Sequence, residues 1–281
     1  MKITTGQPIG YPELRGNPSC IRFPAFSELK LDGEFEHLVI KGGVASLINK
    51  SGKTRTECNI TNEAVNLPDM TLVGELHYEG GKRGDLYKLL ANAKSDLLHF
   101  TAFDIISLNG LNVKNLPLIG RKEMLLENCP TTKHIHISEV ILLNNENDLK
   151  VVMKQAVERG FEGVVLKNID GPYMEGSCSW VKIKNKDETD YPIVFVDPTL
   201  ERIEIEVKSE GDGKTRVKNV GVKCLNGFKK DINVGDIASV EHQGILSEGG
   251  LRHPVLIRVS TNKGTILCKM IFKGGRNEVD N

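Results

Sequence analysis

Apolar residues in the first two-thirds of the chain recur at two spacings. Phe35 to Ile40 and Val44 to Ile48 alternate as short strands on either side of Lys41-Gly42-Gly43, a junction that predicts a hairpin. Thr71 to Tyr78 predicts another strand, followed by the glycine-rich loop Glu79-Gly80-Gly81-Lys82-Arg83-Gly84. Asp85 is placed to cap a helix running through Leu86, Leu89 and Leu90. Phe100 to Ile106, Gly163 to Asn168 and Trp180 to Lys184 read as further strands. Residues 119–128 and 147–159 read as helices; in the second, Leu149, Val152 and Ala156 share a face and Gly160 supplies the stop. Strands with helices inserted between them predict an α+β domain.

The pattern changes near Asp187-Glu188-Thr189-Asp190. Beyond it helical spacing disappears, and Ile203 to Val207, Thr215 to Lys223, Ile237 to His242, Val255 to Val259 and Ile266 to Phe272 alternate with turns. Five strands in about 90 residues fit a small barrel of the OB type, and a small sandwich fits nearly as well. The expected division is therefore 1–187 and 188–281.

Composition narrows the class. The chain has 281 residues, enough for two domains, with 39% hydrophobic and 26% charged residues. It contains no window of some 18 apolar residues, so no membrane span is expected. Met1 to Tyr11 lacks the apolar run of a secretory signal. The six cysteines lie far apart with no Cys-x-x-Cys pair, which points to reduced thiols in a cytoplasmic protein. His134 and His136 alternate on a strand, and the sequence supplies no further metal ligands beside them. The 37 basic and 37 acidic residues cancel, so any nucleic-acid binding must use a local basic face rather than bulk charge.

The sharpest local feature is Glu28-Leu29-Lys30-Leu31-Asp32-Gly33. A lysine on a strand edge with an acid two residues on sends both side chains to one face, and Gly33 lets the backbone turn or approach a ligand. Such a lysine serves as a nucleophile when its amine is held uncharged. Alone, the tetrad Lys-x-Asp-Gly also describes a surface lysine beside a hairpin. Four other stretches follow in order. Leu72-Val73-Gly74-Glu75-Leu76 puts a carboxylate in an apolar strand, and Phe100-Thr101-Ala102-Phe103-Asp104 puts an aromatic and an acid at a strand end. Phe161-Glu162-Gly163-Val164-Val165-Leu166-Lys167 sets a carboxylate and a lysine about an apolar run, and Trp180-Val181-Lys182-Ile183-Lys184 projects two lysines to one side. Each has an ordinary alternative: a solvated strand end for Glu75, core for Phe103, an aggregation-resistant edge for Lys182 and Lys184.

Taken together and in this order, the five stretches resemble the motif series of the covalent nucleotidyltransferases, and the chain is similar to the ATP-dependent DNA ligases. Asn109-Gly110-Leu111, the run Leu116-Pro117-Leu118-Ile119-Gly120-Arg121-Lys122, Leu251-Arg252-His253-Pro254 and Ile257-Arg258 extend the resemblance from residue 26 to about 263. It implies an adenylyltransferase domain followed by a small OB-fold barrel. It also implies a three-step reaction: lysine attacks the α-phosphate of ATP, AMP passes to the 5′-phosphate of a nick in duplex DNA, and the 3′-hydroxyl displaces AMP.

By the resemblance Lys30 is the nucleophile, while Lys182 and Lys184 contact the α-phosphate and offset charge during transfer. Glu28, Asp32 and Gly33 belong to the nucleotide site through the lysine motif. Phe103 stacks on adenine, Glu75 contacts the ribose or helps hold metal, and Lys167 assists the phosphates. Asp32, Glu75 and Glu162 are hard oxygen ligands suited to Mg²⁺, with Mn²⁺ as a substitute. Lys50-Ser51-Gly52 resembles an Arg-Ser-Gly stretch that grips phosphate beside the nick; lysine keeps the charge but not the bidentate fork. Arg258 and Lys263 belong to the last motif.

Three positions depart from the pattern: Lys50 itself, Phe35 where an arginine is usual, and Asn262 before Lys263 where an aspartate is usual. One ribose or phosphate contact must then come from elsewhere, and orientation of the leaving pyrophosphate is altered. Only 29 residues precede Lys30, so a monomer that embraces DNA with two domains is expected. Lys82-Arg83 and the cations of Lys214-Thr215-Arg216-Val217-Lys218 are candidate DNA contacts. An RNA ligase shares the lysine chemistry, a capping guanylyltransferase would label itself from GTP, and a non-catalytic nucleic-acid-binding relative would have lost some of Lys30, Glu75, Glu162, Lys182 and Lys184.

Overall fold

The computed structural model describes residues 13–15, 20–78, 86, 89–90, 96–174, 179–199, 201–208, 214–221, 231–245, 250–262 and 264–268. The chain divides into two compact units, Met1–Lys184 and Asn185–Asn281. The first begins with β1 (Glu13–Arg15), β2 (Ala25–Leu29), β3 (Glu34–Lys41), β4 (Val44–Asn49), β5 (Thr54–Arg55), α1 (Asn59–Ala64) and β6 (Met70–Tyr78). It continues with β7 (Leu98–Leu108), β8 (Leu111–Asn112), α2 (Leu118–Asn128), β9 (Ile135–Ile137), β10 (Ile141–Leu143), α3 (Glu146–Glu158), β11 (Gly163–Asn168) and β12 (Trp180–Lys184). The second holds β13 (Asp187–Val196), β14 (Arg202–Lys208), β15 (Thr215–Gly221), β16 (Ile237–His242), β17 (Val255–Thr261) and β18 (Gly264–Leu267).

The strands of the first unit form two sheets, ordered β1-β12-β11-β2-β10 and β5-β4-β3-β6-β7-β8, with β9 parallel to β7. In the five-stranded sheet, register decides which residues share a face. Leu29 pairs with Val164 and Leu166 with Val181, and this side packs with Val152 and Ala156 of α3 as a dry layer. Asn145 starts α3 by accepting from the amides of Asn147 and Asp148. The opposite face therefore carries Phe26, Glu28, Val165, Lys167, Trp180 and Lys182.

The second sheet is sided in the same way. Leu38, Leu47, Leu72, Leu76 and Phe100 join Ile60 and Ala64 of α1 and Leu125 of α2 in the largest core. Phe35, Val73, Phe103 and Ile106 lie on the other side and pack with Val165, Tyr173 and Trp180. That apolar layer joins the two sheets, and the face bearing Lys30 looks onto it.

In the second unit the strands pair as β15-β14-β13-β16-β17-β18 around Ile193, Ile203, Ile205, Val207, Ala238, Val240 and Val259. Two differences from the sequence reading stand out. Asp187–Val196, read as the point where the pattern changes, is a ten-residue strand paired on both sides, to β14 and to β16. The pairing is an open path, and no pair among the described residues closes it into a barrel. The loop 79–84, Asp85 and Lys263 lie outside the described residues. No described helix is long and apolar enough to cross a membrane.

Candidate active site

Lys30 leaves the end of β2, and its amide donates to the carbonyl of Gly163 at 2.9 Å, continuing the β2–β11 ladder by one residue. Gly163 is paired with Lys184, and Val165 lies between Glu28 and Lys182. Lys30 and Lys184 thus line up across Gly163, with Glu28 and Lys182 one step along the same face. The Lys30 Nζ contacts the Glu162 carboxylate, and both side chains are nearly covered. A Cβ on Gly163 would lie 2.1 Å from the Ile183 carbonyl oxygen, and its φ is +142°. Only glycine permits β11 and β12 to close at this point.

The turn after Lys30 is fixed from the other sheet. Glu75 Oε1 accepts from the Gly33 amide at 3.1 Å, and a Cβ on Gly33 would meet the Leu76 carbonyl oxygen at 2.2 Å. Phe35 pairs directly with Glu75 in the β3–β6 ladder, and Asp32 lies half-buried in the turn.

A buried charge cluster sits one step deeper. Glu28, 3% exposed, takes Lys122 Nζ at 2.7 Å and Lys167 Nζ at 2.8 Å on one carboxylate oxygen. Burial opposes its charge, yet the two ammonium groups win and hold the carboxyl below its ordinary range. Burial lowers Lys167 to about 8 against the pull of Glu28. Its Nζ also stands 3.9 Å from the Trp180 ring centroid and 4.6 Å from that of Phe103, where the negative ring faces favour a cation. Phe103 packs edge-on to Trp180 with centroids 5.7 Å apart.

Lys122 is a site residue that reading the sequence does not assign. Its neighbour Arg121 is fully buried and forks onto both oxygens of Asp104 at 2.8 Å, which pins α2 to β7 and delivers Lys122 to Glu28. The run Gly120-Arg121-Lys122 was the available signal.

The remaining expected residues fall elsewhere. Lys50 is exposed on the β4–β5 turn. Arg258 belongs to the second unit, on β17, where its Nη1 meets Glu188 at 2.5 Å. Arg216 and Lys218 pair with Val207 and Ile205, so they share the inner side of β14 at its edge neighbour. The structure adds partners to the two histidines: His99 Nδ1 lies 3.1 Å from His136 Nε2, and Glu63 Oε1 lies 2.6 Å from His134 Nδ1. Among the described residues no group of three or more His, Cys, Asp or Glu side chains is arranged to hold a metal by itself.

Two facing sheets with a lysine, a glutamate and two further lysines on one inner face define a fold that solved structures share. A structure from a study of DNA binding with a minimal scaffold in Lig E DNA ligases matches with a TM-score of 0.67 at 18% identity, covering 92% of this chain and 100% of that one. The ligase domain of M. tuberculosis LigD matches with a TM-score of 0.53 at 17% identity, covering 88% and 93%. Residues 19–184 match the family model of the ATP dependent DNA ligase domain, and the chain belongs to that family. Among curated relatives, a probable DNA ligase of Dictyoglomus turgidum is 33% identical over 89 residues, 31% of this chain and 15% of that protein. A DNA ligase of Pyrobaculum islandicum is 26% identical over 190 residues, 62% and 32% respectively. The matched stretches thus span under a third of those relatives' lengths.

Proposed function

We propose that this chain is an ATP-dependent DNA ligase that carries AMP on Lys30 and seals 5′-phosphate/3′-hydroxyl nicks in duplex DNA. The observation that carries the reading is the line Lys30–Gly163–Lys184, with Glu162 at the Lys30 amine and Lys182 on the same face. In the first step Nζ of Lys30 bonds to the α-phosphorus of ATP, the bond to pyrophosphate breaks, and an amine proton leaves. Lys182 and Lys184 would neutralise charge on the α-phosphate, which is most of what phosphoryl transfer asks of a protein. The phosphoramidate then yields AMP to the 5′-phosphate, and attack by the 3′-hydroxyl releases it.

Phe103 is assigned to the adenine, Lys167 to the phosphates, and Glu28 and Gly33 to the nucleotide site through the lysine motif. Asp32, Glu75 and Glu162 would hold Mg²⁺, or Mn²⁺ in its place. Their hard oxygens fit an ion that takes one or two carboxylates and completes its shell with phosphate and water. When bound, that ion supplies further charge neutralisation at the phosphates. Lys50 is assigned to the nick phosphate, and Arg258 with Lys263 to the end of the nucleotide tail.

In this reading residues 1–187 are the adenylyltransferase domain and 188–281 an OB-fold domain. Support for the second comes from a six-stranded antiparallel path with an apolar interior. The enzyme is taken to act as a cytoplasmic monomer, and buried thiols at Cys58 and Cys129 support the reducing compartment.

Incubation with labelled ATP should attach AMP to the unmodified chain, and Lys30→Ala should remove the label completely. Label from GTP alone would make the chain a guanylyltransferase, and label persisting at another residue would refute the nucleophile. Matched nicked DNA and RNA duplexes, offered with ATP and Mg²⁺, then decide the substrate; product from RNA alone would replace DNA ligase by RNA ligase.

A further inference from the structure

The turn that bears Lys50 is built around one side chain. Asn49, 6% exposed at the end of β4, accepts through Oδ1 from the Ser51 amide at 3.1 Å, the Ser51 hydroxyl at 2.8 Å and the Lys53 amide at 2.8 Å. Its backbone carbonyl accepts from the Gly52 amide at 2.9 Å. The amides of residues 51, 52 and 53 are therefore all committed inside the turn. What the turn offers outward is the ammonium groups of Lys50 and Lys53, both on exposed residues.

The same side chain fastens the turn to the lysine loop. Asn49 Nδ2 donates to Glu34 Oε1 at 2.8 Å, and Glu34 directly follows Gly33. Arg55 holds the other Glu34 oxygen at 3.0 Å and also reaches Glu36. Asn49 pairs with Glu36 across β3 and β4 in the same ladder. A chain of bonds thus runs from Lys50 through Asn49 and Glu34 to the turn that follows Lys30.

We infer that Asn49 is a positioning residue for engagement of the nick 5′-phosphate, shaping the Lys50–Lys53 turn and holding it at a fixed distance from the Lys30 loop. The inference rests on the ligase reading, and it explains how a lysine without a guanidinium fork still grips one point. A point charge has no directional bonds of its own, so its placement must come from the backbone that carries it. Lys53 becomes a second cation at that phosphate.

The test separates nick recognition from adenylylation. Asn49→Ala removes the acceptor and the donor together, and the apparent KM for nicked duplex should rise about tenfold, the value of roughly one buried hydrogen bond. The rate of AMP attachment to Lys30 should stay within about twofold of the unmodified chain, since that step does not involve the turn. Asn49→Asp keeps the acceptor for the turn but sets two carboxylates against each other, and should lose nick affinity as well. Combining it with Glu34→Gln reverses donor and acceptor while keeping the bond, and should restore most of the affinity.

An unaltered nick KM in Asn49→Ala overturns the inference. So does an equal loss of Lys30 adenylylation, which marks a general folding role, and so does a folded double variant no better than Asn49→Asp. An unmodified chain that seals nothing overturns the ligase reading and this inference together, whereas a sealing chain indifferent to Asn49 overturns this inference alone.

Discussion

At the scale of single residues, the decisive chemistry is charge placed where water is scarce. Glu28 holds two ammonium groups on one oxygen, with both lysine side chains nearly covered. Breaking a buried ion pair by deleting one member leaves an uncompensated charge, a loss of about 3–5 kcal/mol. Glu28→Gln should lower stability by that order in urea unfolding at pH 7. The sign of its pH dependence follows from Lys167. Its value is already lowered to about 8 from 10.5, so the folded state disfavours its charged form. Without Glu28 that value falls further. The deficit should therefore shrink as pH rises through neutrality to about 8, where Lys167 of the folded unmodified chain sheds its proton; the unfolded value is common to both chains and cancels. A deficit that stays constant over that range would remove the charge argument.

At the scale of elements, the site depends on how closely β11 and β12 approach. Gly163→Ala would place a methyl 2.1 Å from the Ile183 carbonyl oxygen, against backbone that cannot swing aside, at a φ that L side chains rarely adopt. On the order of 2–4 kcal/mol of stability should be lost, and AMP attachment to Lys30 should fall by at least about 100-fold, because the line from Lys30 to Lys184 runs through this residue. A variant with normal labelling would show that the line is not needed. The elements around it are legible in the sequence where apolar residues form short runs or recur at a regular spacing, as in β3, β4, β6, β11, β12, α2 and α3. Asp187–Val196 hides because it opens Asp-Glu-Thr-Asp and alternates only weakly; its strand character comes from neighbours on both sides. The Lys30 motif and its companion stretches are legible because each is local. Lys122 and Asn49 are not, since their meaning lies in Glu28 and Glu34, partners supplied by long-range packing that no local pattern encodes.

At the scale of the whole molecule, zero formal charge requires any grip on DNA to be local. Arg216 and Lys218 stand together on one side of edge strand β15. Phosphate contacts release counterions, so each one lost should flatten the plot of log affinity against log salt by about 0.9. Arg216→Ala and Lys218→Ala should each lower the slope for nicked duplex by roughly one while leaving ATP labelling of Lys30 intact. Unchanged slopes in both would place the DNA path elsewhere.

The chain contains a single tryptophan, and it lies at Trp180, fully enclosed, with an ammonium over its ring and Phe103 at its edge. Indole emission responds to nearby cations and to the polarity of its surroundings. The protein therefore holds its own optical probe against Lys167 and Phe103, and under the proposed function a spectrum taken during titration with triphosphate should shift as nucleotide binds, without any added dye.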